Sequence, residues 1–121
     1  MEINFNFSQI DFKKVWKNHH QMQPYLHPRT PCICIPRLAK ETTRADIAAV
    51  FTKLNWGKIH SIIIVSNHKK QQEKDFVCVF VHLVWNKANT YEIRQKLLNK
   101  ESIKVVCSEY VFWKLYAKNN T

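Results

Sequence analysis

The sequence predicts an α+β fold in the order βαββαβ, with a four-stranded antiparallel sheet and two helices on one of its faces. Three observations predict it. Apolar, β-branched runs recur at Cys32–Ile35, Ile62–Val65, Phe76–Val84 and Ile103–Cys107. Helically spaced apolar residues fill the gaps after the first and third runs. The single glycine, Gly57, falls at a helix-to-strand junction.

Residues 1–30 form an N-terminal extension. Ile3, Phe5 and Phe7 alternate, which suits a short strand or an apolar clip. Ser8 precedes Asp11 by three, as at a helix start, and Phe12, Val15 and Trp16 follow at helical spacing. Pro24, Pro28 and Pro31 mark an ordered connector.

The domain proper spans residues 31–108. Cys32–Ile35 is the first strand, bounded by Pro31 and Pro36. Thr42 or Thr43 caps the first helix, with Asp46 placed to complete the cap. Ile47, Val50, Phe51 and Leu54 share one helical face. Asn55-Trp56-Gly57 ends that helix, with glycine as the residue at positive φ. Lys58–Val65 is the second strand and Phe76–Val84 the third. The polar loop between them carries Lys69, Lys70 and Lys74. Asn89 and Glu92 form a capping-box pair for the second helix, which turns Ile93, Leu97 and Leu98 inward. Ile103–Cys107 is the fourth strand, and residues 109–121 form a C-terminal aromatic extended segment. This order is the split βαβ, or ferredoxin-like, arrangement. Its helices cover one sheet face, so function belongs on the open face, the loops or the extensions.

Composition narrows the function classes. The chain of 121 residues holds 19 Lys and Arg against 9 Asp and Glu, a formal net charge of +10. The excess is spread along the whole chain, without a basic tail. A diffuse positive charge favours polyanions such as nucleic acid. One glycine excludes a Gly-rich phosphate cradle of the P-loop or dinucleotide type. No apolar run approaches the roughly 18 residues of a membrane span, so no membrane partner is expected. The first residues have neither a basic nor an apolar signal region, so no secretory signal is expected.

Cys32, Cys34, Cys78 and Cys107 lack zinc-type spacing, and the six histidines are scattered. The thiols are expected to be reduced, in a cytoplasmic or nuclear compartment, and to behave as small hydrophobes. Neither a metal nor a cofactor is expected. No Ser/His/Asp or Cys/His arrangement has motif support, so the protein is expected not to be an enzyme.

The strands also carry a family resemblance. Ile33-Cys-Ile-Pro-Arg-Leu38 resembles the strand-1 hexamer of RNA recognition motifs. Phe76-Val-Cys-Val-Phe-Val-His-Leu83 resembles their strand-3 octamer, and Leu54-Asn-Trp-Gly-Lys-Ile59 their turn into strand 2. The resemblance covers residues 31 to 108. More narrowly, Cys34-Ile-Pro-Arg-Leu38, Val79-Phe-Val-His-Leu-Val-Trp85 and Phe112-Trp-Lys114 look like short proteins of this kind from large nucleocytoplasmic DNA viruses, which implies a possible place in a virion. In the family, exposed strand aromatics stack on bases. The matching positions here are Cys34, Cys78 and Phe80, so only Phe80 keeps a ring.

Two binding roles follow. In the first, RNA or single-stranded nucleic acid is held mainly by phosphate contacts from Arg37, Lys69, Lys70, Lys74 and Lys104. Phe80 stacks, helped by Trp113 or Tyr116. In the second, a protein partner or larger viral assembly meets the open face through Cys34, Cys78, His82 and Val106. The terminal segments then contribute Phe5, Phe7, Trp16 and Trp113. Trp56 and Trp85 are read as core or edge residues.

Overall fold

A computed structural model describes residues 1–4, 26–66 and 75–118. Its elements are β1 (Glu2–Asn4), β2 (Ile33–Ala39), α1 (Arg44–Leu54), β3 (Gly57–Ser66), β4 (Phe76–Trp85), α2 (Tyr91–Leu98), β5 (Ile103–Ser108) and β6 (Val111–Ala117). The strands form one sheet in the order β1-β5-β6-β2-β4-β3. The β1–β5 pair is parallel and the other neighbours are antiparallel.

This α+β architecture corrects the expected four-stranded, antiparallel, ferredoxin-like sheet. The sheet has six strands and is mixed. Two segments read as extensions account for the difference. Residues 111–117 insert as β6 between β5 and β2. Residues 2–4 add β1 outside β5, with Ile3 opposite Val105. The physical reason for β6 lies in its alternation. Trp113 and Leu115 are buried on the helix side, while Phe112, Lys114 and Tyr116 are exposed. Such a strand loses half its burial unless it sits inside a sheet backed by helices. Glu109 and Tyr110 alone link β5 to β6, and Ser108 pairs with Val111. A two-residue link places the strands side by side.

The core lies between the sheet and the helices. α1 packs over β3, and α2 packs over β5 and β6. Thr43 caps α1, and its hydroxyl accepts from the Asp46 amide at 3.1 Å. The Asp46 carboxylate accepts from the Thr43 amide at 3.0 Å. These hydrogen bonds hold the Asp46 carboxyl below its ordinary range. Ile47, Phe51 and Leu54 are buried, as their spacing requires.

The expected cap of α2 does not form. Its N-cap is Thr90, without a side-chain cap bond. The buried Thr90 hydroxyl donates instead to the Asn86 carbonyl. Leu98, expected inward, is exposed, and Arg94 takes a buried place beside Leu97. The Arg94 side chain donates to the carbonyls of Thr30 and His27, and its guanidinium lies 5.7 Å from the Trp85 ring. Trp85 Nε1 donates to the Pro31 carbonyl at 2.9 Å, and the Trp85 ring stacks on Trp56 at 5.7 Å. Residues 27–31 are thus tied to α2 and β4 before the chain enters β2. The carbonyl acceptors offset the cost of burying a charged group.

The α1–β3 turn divides its tasks differently from the sequence expectation. Asn55 adopts the left-handed conformation, with φ 54°, and its amide donates to the Phe51 carbonyl. Asparagine tolerates this region through local polar contacts. Gly57 does not have positive φ. It is needed for close approach, because a Cβ there would lie 2.1 Å from the Val84 carbonyl oxygen and 2.8 Å from the Trp85 Cα. Both obstacles are backbone, so Gly57→Ala must push β3 away from β4. The expected loss is at least about 2 kcal/mol, read as a lower urea midpoint at unchanged m-value.

Candidate nucleic-acid interface

The candidate face starts with the alternation of β4. Val77, Val79, Val81, Leu83 and Trp85 are buried toward the helices. Phe76, Cys78, Phe80, His82 and Val84 are partly exposed on the other face. Registers extend that face across the sheet. Phe80 is opposite Ile63 of β3 and Cys34 of β2. Cys34 is in turn opposite Tyr116 of β6. A row Ile63, Phe80, Cys34, Tyr116 therefore crosses four strands. On β5 and β6, Lys104 is opposite Lys114 and Val106 opposite Phe112.

Three rings on this face carry a cation. The Arg37 guanidinium lies 4.2 Å from the Phe76 ring centre. The Lys118 ammonium lies 5.0 Å from Phe80, and that of Lys104 lies 4.5 Å from Phe112. These are cation–π distances. Each ring belongs to a strand that its cation does not share, so the pairs bridge elements. The Arg37 pair follows from the bulge between Ile35 and Leu38, which turns both Pro36 and Arg37 outward.

Polar chemistry clusters beside the rings. Cys32 Sγ lies 3.6 Å from His82 Nε2, and Cys34 Sγ lies 3.9 Å from Cys78 Sγ. Burial and the neighbouring Cys78 push the Cys34 thiol up to about 12. Burial also raises Cys32 and Cys107. His82 is held below its ordinary value, first by partial burial and then by Lys118, His60 and Arg29. The His82 end of the face is therefore a cationic corner built from three separate segments.

The structure brings Phe80, Arg37, Lys104, Cys34, Cys78, His82 and Val106 together on one face. Trp113 does not join them; it is 8% exposed and packs in the core, because the parity of β6 turns it toward the helices. Lys69, Lys70, Lys74, Phe5, Phe7 and Trp16 lie outside the described residues. Sequence reasoning missed Lys118, Lys114 and the placement of Phe112. The signal was available: residues 112, 114, 116 and 118 read aromatic, cation, aromatic, cation at strand period.

Chemically, this face can stack planar groups and neutralise phosphates. Among the described residues, no group of three or more His, Cys, Asp or Glu could hold a metal ion. No helix among them is long and apolar enough to cross a membrane. The chain matches no family model, no curated protein and no solved structure.

The depressed His82 titration carries a sign. The unfolded chain takes up this proton at higher pH than the folded one, so stability falls as pH drops through about 6.5 and levels off below the folded value. An NMR titration should place the His82 midpoint below the ordinary imidazole value. Binding of a phosphate polyanion at this corner should move it upward, and a midpoint unmoved by saturating oligonucleotide would exclude phosphate from the corner.

Proposed function

We propose that the open sheet face binds RNA or single-stranded DNA without catalysis, mainly through phosphate contacts supplemented by base stacking. The observation that carries this reading is the set of three rings, Phe76, Phe80 and Phe112, each with a cation 4.2 to 5.0 Å away. In this reading bases stack on Phe80, Tyr116 and Phe112. Arg37, Lys104, Lys114 and Lys118 meet phosphates, and the cationic corner at His82 extends their track. Tyr116 and Phe112 supply rings that the thiols Cys34 and Cys78 cannot. The resemblance of β2 and β4 to RNA recognition motif strands points the same way.

A second reading has its own support. Ile63 and Val65 are 45% and 43% exposed on β3, where a nucleic acid has little use for aliphatic surface. A protein partner, or a larger assembly such as a virion, would cover them.

The two readings separate in one titration series of single-stranded RNA and DNA at about 50 mM and 200 mM salt. Nucleic-acid binding should weaken steeply with salt. Phe80→Ala should cost about tenfold at either salt. Lys118→Ala should reduce the salt slope by about 1. The absence of binding at the lower salt would sink the first reading. Ile63→Thr with Val65→Thr should leave oligonucleotide affinity unchanged and abolish any self-association seen by light scattering.

A further inference from the structure

Two of the four free cysteines face each other. Cys34 and Cys78 lie on neighbouring strands of the open face, with sulfurs 3.9 Å apart. The other two thiols point elsewhere. Cys32 Sγ is shared between His82 Nε2 and the Val81 carbonyl, and Cys107 Sγ points to the Val105 carbonyl. We propose that Cys34 and Cys78 form a reversible disulfide, tying β2 to β4, when the protein meets a peroxide.

The geometry supports the pair in three ways. Both residues are partly exposed, so a small oxidant reaches them. The sulfurs already touch, and side-chain rotation with slight strand adjustment would bring them to the roughly 2.05 Å of a disulfide. The β-bulge opposite Cys78 leaves β2 locally irregular, which gives that adjustment room. The Cys34 thiol, pushed up to about 12 by burial and then by the neighbouring Cys78, stays protonated as the resolving thiol. Two sulfurs within reach of each other are the arrangement an attack-and-resolve sequence needs.

The step balances with a hydroperoxide as oxidant. The Cys78 thiolate attacks one oxygen of hydrogen peroxide, and the O–O bond breaks. Cys78 becomes a sulfenic acid, and the departing hydroxide takes a proton to give water. The Cys34 sulfur then attacks the Cys78 sulfur. The S–O bond breaks, the S–S bond forms, and the second water leaves with the Cys34 proton. The two thiols lose two electrons and two protons, and the peroxide gains both. A dithiol reductant reverses the bridge by exchange. This chemistry stands apart from what the face binds, so its test is independent of the nucleic-acid reading.

The full chain is treated with hydrogen peroxide, blocked with N-ethylmaleimide, digested and mapped by mass spectrometry. The expected product is a peptide pair linked through Cys34 and Cys78, released by dithiothreitol, with Cys107 alkylated throughout. Cys34 linked to Cys32 would overturn the assignment. So would Cys34 and Cys78 both remaining alkylatable at doses that already convert the methionines to sulfoxide. In Cys34→Ser, Cys78 should stop at the sulfenic acid and take a dimedone label. A missing label there, with the variant folded by circular dichroism, would overturn Cys78 as the attacking thiol.

Discussion

The strict two-residue alternation of β4 is the constraint on which the rest of this structure depends. Its ten residues switch between buried and partly exposed without interruption. Both neighbours, β2 and β3, must therefore pair in registers that keep Ile33, Ile35 and Ile62 on the helix side. A slip of one residue would move a whole apolar set into water. The same requirement fixes what faces outward. Phe80, Cys34, Ile63 and Tyr116 form a row because Val81, Ile33, Ile62 and Ala117 form the row behind it. Core and open face are two sides of one register.

Where the register is interrupted, side chains escape the alternation. The bulge in β2 releases Arg37 from alternation, and the guanidinium settles over Phe76. The shift in β3 between Ile59 and Ser61 leaves His60 outside the ladder, exposed and close enough to act on His82. A regular strand would bury one of two consecutive residues. A bulge lets both reach solvent.

The elements with local causes were legible in the sequence. Thr43 and Asp46 cap α1 because the cap needs only four consecutive residues. β2, β3 and β4 are visible as β-branched runs; Trp56 and Trp85, legible only as core or edge residues, prove to be core. The helix-ending turn was placed correctly but its roles were exchanged: Asn55 takes positive φ, and Gly57 serves the approach of Val84. That distinction depends on a residue far along the chain, so no local pattern carries it. The C-terminal segment reads as extended, but Glu109-Tyr110 lacks the Asn-Gly or Gly-rich chemistry that marks a two-residue hairpin, so nothing local places β6 in the sheet. The alternation from Ile3 suits a short strand, and β1 forms at Glu2–Asn4, but its pairing with β5 is wholly non-local and no local pattern carries it. The cation–ring pairs were beyond reach for the same reason, since Lys118 and Phe80 meet only through the β2–β6 and β2–β4 registers.

The spread of the +10 charge takes a different meaning once those pairs are considered. In sequence it gives no footprint, because each stretch holds a similar excess. Folding draws Arg37, Lys104 and Lys118 onto one face and sets each over a ring. A cation over a ring shields apolar surface that would otherwise favour aggregation, and it keeps its own charge largely hydrated. In the proposed binding reading the cation then exchanges its ring for a phosphate, while the ring exchanges its cation for a base. Each partner replaces one electrostatic contact with another, so the net gain per unit stays modest. Affinity must then come from several units acting along one strand, with counterion release as the dominant driving term. A face built this way favours salt-sensitive, sequence-tolerant binding over base reading, because rings and lysines carry no directional code for one base over another.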